Sequence, residues 1–339
     1  MPQPHTGKVS VIPCIDISPL FAERSAARNR ADSELLSAAK EVGFIQVTGL
    51  GAYVDLSEAR RADLKRIFSL TPERLQPLWR QKFAPDHLNV YRGWFPLQEG
   101  HLTAKEGIDM GPDVVTGAAR IDPTDPLREL TPLPLEIDLP GWRAMVSRHY
   151  VEMARLGRAV MRCLARGLDL AEAHFDPLFD AGISTLRLIH YPIRPGCSAS
   201  RVVGAAHIDS GLITLLLQDG VSGLQVKDLD GSFVDVPVRE DAVTVNFGRL
   251  LALWSGGRIR ATEHRVLGGV RPRFSFPFFY EPRVDALIEP LPGTSTAFKP
   301  FLYGDFLWQA TTRFVEFHGM ENLRASRGSP TAAAAAASA

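Results

Sequence analysis

Residues 205–218 read "AAHIDSGLITLLLQ". An imidazole and a carboxylate, His207 and Asp209, stand two positions apart beside an apolar run, where neither side chain is cheap to bury. In a strand, residues i and i+2 share a face, so both project together while Ile208 points the other way. Two donors on one face make a chelating pair. Working outward, the same texture recurs as "STLRLIHYPI" from Ser184, "GLQVKD" from Gly223, "SFVDVPV" from Ser232, "AVTVNFG" from Ala242, "RATEHRVL" from Arg260 and "RFSFPFFYEP" from Arg273. Short strands separated by Gly, Pro and Asp turn signals at this rhythm predict a sandwich or barrel, with the double-sheet jelly roll a natural candidate.

Upstream of Gly182 the patterning is helical. "SELLSAAKEVG" places a capping serine at Ser33, apolar Leu36, Ala39 and Val42 along one side, and Gly43 where a helix would end. "FIQVTGL" then reads as a short strand, and a second helical stretch lies between Leu56 and Gln81. From Trp142 to Leu168, apolar residues recur at Trp142, Val146, Met153, Leu156, Val160 and Cys163, with His149 in phase; the spacing predicts one long helix supporting a sheet. The expected fold is mixed α+β. An N-terminal helical and mixed region (1–180) packs on a jelly-roll core (181–285), followed by a C-terminal helical extension (286–325) and a low-complexity, disordered tail (326–339).

Composition narrows the partners. With 339 residues and 45% hydrophobic content the chain can bury a large core. Lysine plus arginine (38) balance aspartate plus glutamate (38), which gives no footprint for nucleic acid or an anionic membrane, so a small molecule is the expected partner. Cys14, Cys163 and Cys197 form no CxxC pair and are odd in number, so neither a disulfide scaffold nor a zinc ribbon is expected. A start lacking signal-peptide order and the lack of a long apolar run point to the cytoplasm. Neither the Rossmann nor the Walker glycine pattern occurs.

The HxD pair needs a further donor to close a metal site. Two histidines and one carboxylate with open positions suit a divalent first-row metal, as in non-haem Fe(II) oxygenases. His264, in another predicted strand, supplies the second imidazole. Taken alone, each residue has a plainer reading: a strand histidine is usually a core or surface residue, and Asp before Ser-Gly often opens a turn. Arg273 and Ser275 raise the metal reading. They share a strand face, no acid lies near Arg273 in sequence, and a guanidinium inside an apolar barrel calls for a carboxylate that a bound dicarboxylate can supply.

These residues resemble the iron(II) and 2-oxoglutarate-dependent dioxygenase superfamily, in its isopenicillin N synthase-like branch. The likeness runs from about Ile12 to Trp308: "VIPCIDISPL", "AAKEVGFIQVTGLG", "LRLIHYP", "HIDSGLITLLLQDGVSGLQV", "WSGGRIRATEHRV" and "RFS" follow in the family's order. The resemblance implies that His207, Asp209 and His264 bind Fe(II) and form the catalytic centre. It implies that Arg273, Ser275 and Tyr191 hold 2-oxoglutarate, with O2 as second cosubstrate. Tyr191 would share a side with Arg187 and Ile189. Two positions depart from the family pattern: Ile189 stands where many relatives have asparagine, and "NFGR" (Asn246 to Arg249) where they often read Asn-x-Gly-Asp.

The implied reaction is oxidation, usually hydroxylation, of a C–H bond of a small metabolite, coupled to conversion of 2-oxoglutarate to succinate and carbon dioxide. An oxidase of the isopenicillin N synthase or aminocyclopropanecarboxylate oxidase type, which does not use 2-oxoglutarate, is an alternative that Arg-x-Ser cannot separate. A catalytically silent metal-binding protein is another. A zinc hydrolase lacks a general base of the HExxH kind. "VYRGWFP" resembles a segment that packs over the site's mouth, making Tyr91, Arg92 and Trp94 candidates to line it; "FFYEP" and "YGDFLWQATTRF" add Phe279, Phe306 and Trp308. Ordinary packing explains any one of these six equally well.

Overall fold

Two β-sheets face each other, and the strand-rich segment read from the sequence supplies most of both. The computed structural model describes residues 12–98, 104–193, 196, 201–268, 270–294, 298–328 and 336. The strands of its two main sheets are β1 (Cys14–Asp16), β2 (Phe44–Thr48), β3 (Gly93–Phe95), β4 (Glu106–Met110), β5 (Thr185–Tyr191), β6 (Val202–His207), β7 (Ile213–Gln218), β8 (Leu224–Lys227), β9 (Phe233–Asp235), β10 (Val243–Phe247), β11 (His264–Leu267) and β12 (Arg273–Tyr280); Leu287–Ile288 and Phe301–Leu302 pair separately. The larger sheet runs β1-β2-β10-β7-β12-β5-β4-β3 and the smaller β6-β11-β8-β9. Apart from the parallel pair β1 and β2, neighbours are antiparallel, as a mixed α+β jelly roll requires.

Between the sheets lies an apolar layer of Phe44, Ile189, Tyr191, Val203, Leu224, Val226 and Val266. On the other face, Leu215, Leu217, Val245, Phe276 and Phe278 pack against the helix Trp142–Gly167, whose buried stripe carries all seven residues read from its periodicity. Contact is close enough that a Cβ on Gly157 would stand 2.6 Å from the Tyr280 ring, so this helix position has room only for glycine.

The structure adds to the expected N-terminal region. It does more than pack on the core: β1 and β2 extend the larger sheet beyond β10, and β4 and β3 extend it beyond β5. An open sheet edge exposes unpaired N–H and C=O groups, and these four strands move both edges away from the core strands. The first helix also begins earlier than Ser33 suggests. It spans Ala26–Glu41, with Ser25 Oγ accepting from the Arg28 N–H, while Ser33 lies mid-helix and donates back to the Asn29 carbonyl. Several residues compatible with helix precede Ser33, so a better-placed serine caps it. Gly43, at φ +71°, ends the helix as expected, its N–H reaching the Ala38 carbonyl.

At the C-terminus the helix Tyr303–Thr311 carries Asp305, which accepts hydrogen bonds from Arg324, Ser326 and the backbone of Arg327 and Gly328. The segment expected as a tail from 326 is therefore tied down over its first three residues. Residues 329–335 and 337–339 of it, like Cys197, lie outside the described residues.

Candidate active site

His207 is the last residue of β6 and His264 the first of β11, and the two are direct cross-strand partners with ring centroids 4.4 Å apart. Asp209 differs from the expectation of a shared strand: β6 has ended before it. The turn after β6 still returns its carboxylate to the histidines because three groups hold it there. Oδ2 accepts from Thr214 Oγ1 at 2.6 Å and from Asn246 Nδ2 at 2.7 Å, and the Asp209 carbonyl accepts the Arg249 N–H at 2.7 Å. Both ends of "NFGR", the stretch that departs from the family pattern, thus bear on Asp209. Oδ1 remains, 3.5 Å from His207 Nε2 and 3.8 Å from His264 Nε2.

Each imidazole is backed by the chain. His207 Nδ1 lies 2.8 Å from the Ala205 carbonyl and His264 Nδ1 3.3 Å from that of Thr262. A proton on Nδ1 donated to the carbonyl leaves the Nε2 lone pair facing the partner residues, the tautomer a metal ligand needs. One donor atom from each of the three residues lies within 4.8 Å of the others. Their electrostatics are those of two imidazoles sharing one carboxylate. Burial pushes Asp209 up, but the two histidines outweigh it and hold it well below the usual carboxylate range. For His207, burial is outweighed by Asp209 and the pKa is raised; for His264 burial prevails and the pKa is lowered. Two imidazole nitrogens and one carboxylate oxygen converging from one side could hold a divalent first-row ion with its opposite side open.

Arg273 begins β12, where it pairs in register with Tyr191 at the end of β5, and its guanidinium carbon lies 5.3 Å from the Tyr191 ring centre. Only 1% of it is exposed, and Nε and Nη1 find no hydrogen-bond partner among the described residues. Burial lowers its pKa from the ordinary arginine value. Ser275 is buried on the same strand face, opposite Ile189. Ile189 itself sits in the apolar layer between the sheets. A buried guanidinium with two idle donors matches a carboxylate from outside the chain.

Tyr191 also lines a cavity of about 380 Å³ that His207 and Asp209 border. Of the six substrate candidates, Tyr91 and Phe279 line it. The structure does not bring the other four there. Arg92 is fully buried and donates to Thr185 Oγ1 and the Ile183 carbonyl; Trp94 packs on Phe68; Phe306 stacks on Phe301; the Trp308 indole donates to the Glu321 carbonyl. Arg187, expected on the same side as Tyr191, lines the wall with it; sequence reasoning missed Thr185, Glu281, Glu316 and Phe317, which nothing local marks. A second hollow of about 410 Å³, lined by Arg120, Arg283 and Arg324 among others, shares no residue with the triad. No helix among the described residues is long and apolar enough to cross a membrane.

Comparison with known proteins gives the same direction. The family model for the 2OG-Fe(II) oxygenase superfamily matches residues 182–282, and one described as the non-haem dioxygenase N-terminal region in morphine synthesis matches 12–130. A 2-oxoglutarate-Fe(II) type oxidoreductase of Emericella nidulans is 30% identical over 84% of this chain and 83% of its own length. Isopenicillin N synthase of Streptomyces clavuligerus is 29% identical over 91% and 94%. Among solved structures, a full-length Neurospora crassa protein in complex with alpha-KG and thymine superposes with a TM-score of 0.74 at 27% identity, covering 91% of this chain and 98% of that one.

Proposed function

The chain belongs to the 2OG-Fe(II) oxygenase superfamily, and on that premise we propose that His207, Asp209 and His264 hold Fe(II) while Arg273, Ser275 and Tyr191 seat 2-oxoglutarate. The protein is a non-haem Fe(II)- and 2-oxoglutarate-dependent oxygenase acting on a small molecule. When bound, Fe(II) with 2-oxoglutarate and O2 supplies oxidation of an unactivated C–H bond, coupled to conversion of 2-oxoglutarate to succinate and carbon dioxide. Hydroxylation is the outcome we propose for this chain.

The chain's own residues prepare that chemistry. Thr214 and Asn246 occupy Asp209 Oδ2, so the carboxylate presents a single oxygen to the centre. The Ala205 and Thr262 carbonyls fix both rings with Nε2 inward. Arg273, with two idle donors in a buried place, is suited to fix the remote carboxylate of 2-oxoglutarate and so its orientation. Val226, in register with His264, is buried with Val203 in the apolar layer between the sheets. A cytoplasmic location belongs to the same proposal, supported by the free thiols of Cys14 and Cys163.

The observation that carries this reading is the convergence of three donor atoms whose far sides are each pinned by a hydrogen bond. An anaerobic optical titration with Fe(II) and then 2-oxoglutarate tests it. The charge-transfer band of a chelated 2-oxoacid is expected in the wild type and greatly weakened in Arg273→Ala. Iron binding without a band would instead favour an oxidase that does without 2-oxoglutarate.

A further inference from the structure

We propose that Glu281 is the group that recognises the substrate, and that the molecule oxidised carries a protonated amine, held on the Glu281 carboxylate, at one end of an apolar body. The inference rests on the oxygenase reading above and names the substrate class it leaves open. Glu281 directly follows β12, at the far end of that strand from Arg273, and lines the same cavity as His207 and Asp209. Across from it is Gly211, two residues beyond Asp209. A Cβ on Gly211 would lie 3.8 Å from Glu281 Oε1 and 3.7 Å from the Tyr303 hydroxyl, so the glycine leaves open the space between the Asp209 turn and these two polar groups.

Of the three acids that line the cavity, Glu281 is the one with no Lys, Arg or His side chain at ion-pairing distance among the described residues. Glu316 pairs with Lys105 at 2.8 Å, and Asp109, just behind the wall, takes Arg187 at 2.5 and 2.7 Å and is also bonded by Arg80. Asp209 is held by Thr214 and Asn246. Glu281, 5% exposed, accepts a long hydrogen bond from Thr185 Oγ1, at 3.3 Å, and its ionised form is also favoured by the neighbouring Tyr303 hydroxyl. Arg92 is the cation that acts on it through space, and that guanidinium donates to Thr185 Oγ1 at 2.6 Å and the Ile183 carbonyl at 2.8 Å rather than to Glu281. Burial accordingly pushes the Glu281 carboxyl up to about 7.

A buried carboxylate is retained at a cavity wall without a counter-ion when a ligand brings one. Of the donors a ligand could offer, a neutral N–H or O–H leaves the negative charge uncompensated. An ammonium compensates it and donates further hydrogen bonds, for which the Tyr303 oxygen stands beside the carboxyl as a second acceptor. The cavity wall also carries Tyr91, Phe279, Leu307 and Phe317, which suit an apolar body and add ring faces that attract a cation, while its cations Lys105 and Arg187 are paired with Glu316 and Asp109. Anchored there, the substrate lies alongside the Asp209 turn.

The test uses the full chain loaded with Mn(II) and 2-oxoglutarate, with benzylamine and benzyl alcohol as matched probes, read by calorimetry or ligand-observed NMR. Benzylamine is expected to bind about tenfold or more tightly than benzyl alcohol, and the preference to fall to about twofold or less in Glu281→Gln. Equal affinities, no binding of either probe by the wild type, or a preference that survives in Glu281→Gln would overturn the assignment. Should Glu281→Gln not fold, Gly211→Val fills the space before the carboxyl and must remove benzylamine binding; retained binding in that variant equally defeats the proposal. The 2-oxoglutarate-induced rise in melting temperature, measured on the same samples, separates failure of this assignment from failure of the oxygenase reading.

Discussion

Replacing Arg273 with methionine separates what the residue does for the fold from what it does for the site. Methionine keeps an unbranched stem of similar reach and removes the guanidinium, whose Nε and Nη1 lack partners in a side chain only 1% exposed. An unsatisfied buried donor costs about 1–3 kcal/mol, so relief of two should leave the metal-free, ligand-free variant at least as stable as wild type, and by up to a few kcal/mol more so. Binding moves the other way. Two charge-assisted hydrogen bonds to a carboxylate are each worth about 1.5–3 kcal/mol, and losing both weakens 2-oxoglutarate by roughly 10²- to 10⁴-fold.

Differential scanning calorimetry with Mn(II), with and without 2-oxoglutarate, reads both effects. At a ligand concentration about 100 times the wild-type Kd, binding stabilises wild type by about 2.7 kcal/mol; a hundredfold weaker variant retains only about 0.4 kcal/mol at the same concentration. If Arg273→Met melts well below wild type without ligand and keeps its 2-oxoglutarate shift, then the guanidinium is a structural group and the reasoning fails.

His207→Ala and Asp209→Ala are each expected to abolish 2-oxoglutarate turnover, measured as succinate release; near-normal rates in both would refute the assigned triad. Glu281→Gln should change the pH dependence of stability. A carboxyl raised from about 4.5 to about 7 on folding stabilises relative to its ionised form below pH 4.5 and loses that contribution as pH rises to 7, a change of about 3 kcal/mol. The variant should therefore gain on wild type in urea unfolding between pH 5 and pH 8, and parallel curves would count against the buried, unpaired carboxyl. Asp109→Asn leaves Arg80 and Arg187 without their shared counter-charge in a buried place, and a loss of about 3–5 kcal/mol is expected from denaturant midpoints. Trp94→Ala, in a core position 1% exposed, should cost about 3–5 kcal/mol while leaving the affinity for 2-oxoglutarate unchanged; the reverse pattern would return Trp94 to the cavity.

What was legible in the sequence is what chemistry demands by residue type. His207, Asp209 and His264 could be singled out because an imidazole or carboxylate beside an apolar strand is costly, and Arg273 because a guanidinium in "RFSFPFF" needs a partner the neighbouring sequence lacks. The helix Trp142–Gly167 was legible because a stripe at helical spacing has one physical use.

The tertiary structure decided the rest, because those outcomes depend on contacts between residues far apart in the chain. Alternation placed Asp209 on a strand; its true position in a turn depends on Thr214 and Asn246, the latter 37 residues away. Tyr91 and Trp94 look alike in "VYRGWFP", since the same aromatic serves packing and binding, and only the fold sends one to the cavity and the other into the core. Glu281 follows an apolar strand without any local mark of burial. Its missing counter-ion becomes visible only when Arg92 is seen bonded to Thr185 and Ile183, and Lys105 to Glu316. By itself the sequence determined which groups are costly to bury; which of them are left unmatched is a property of the folded cavity.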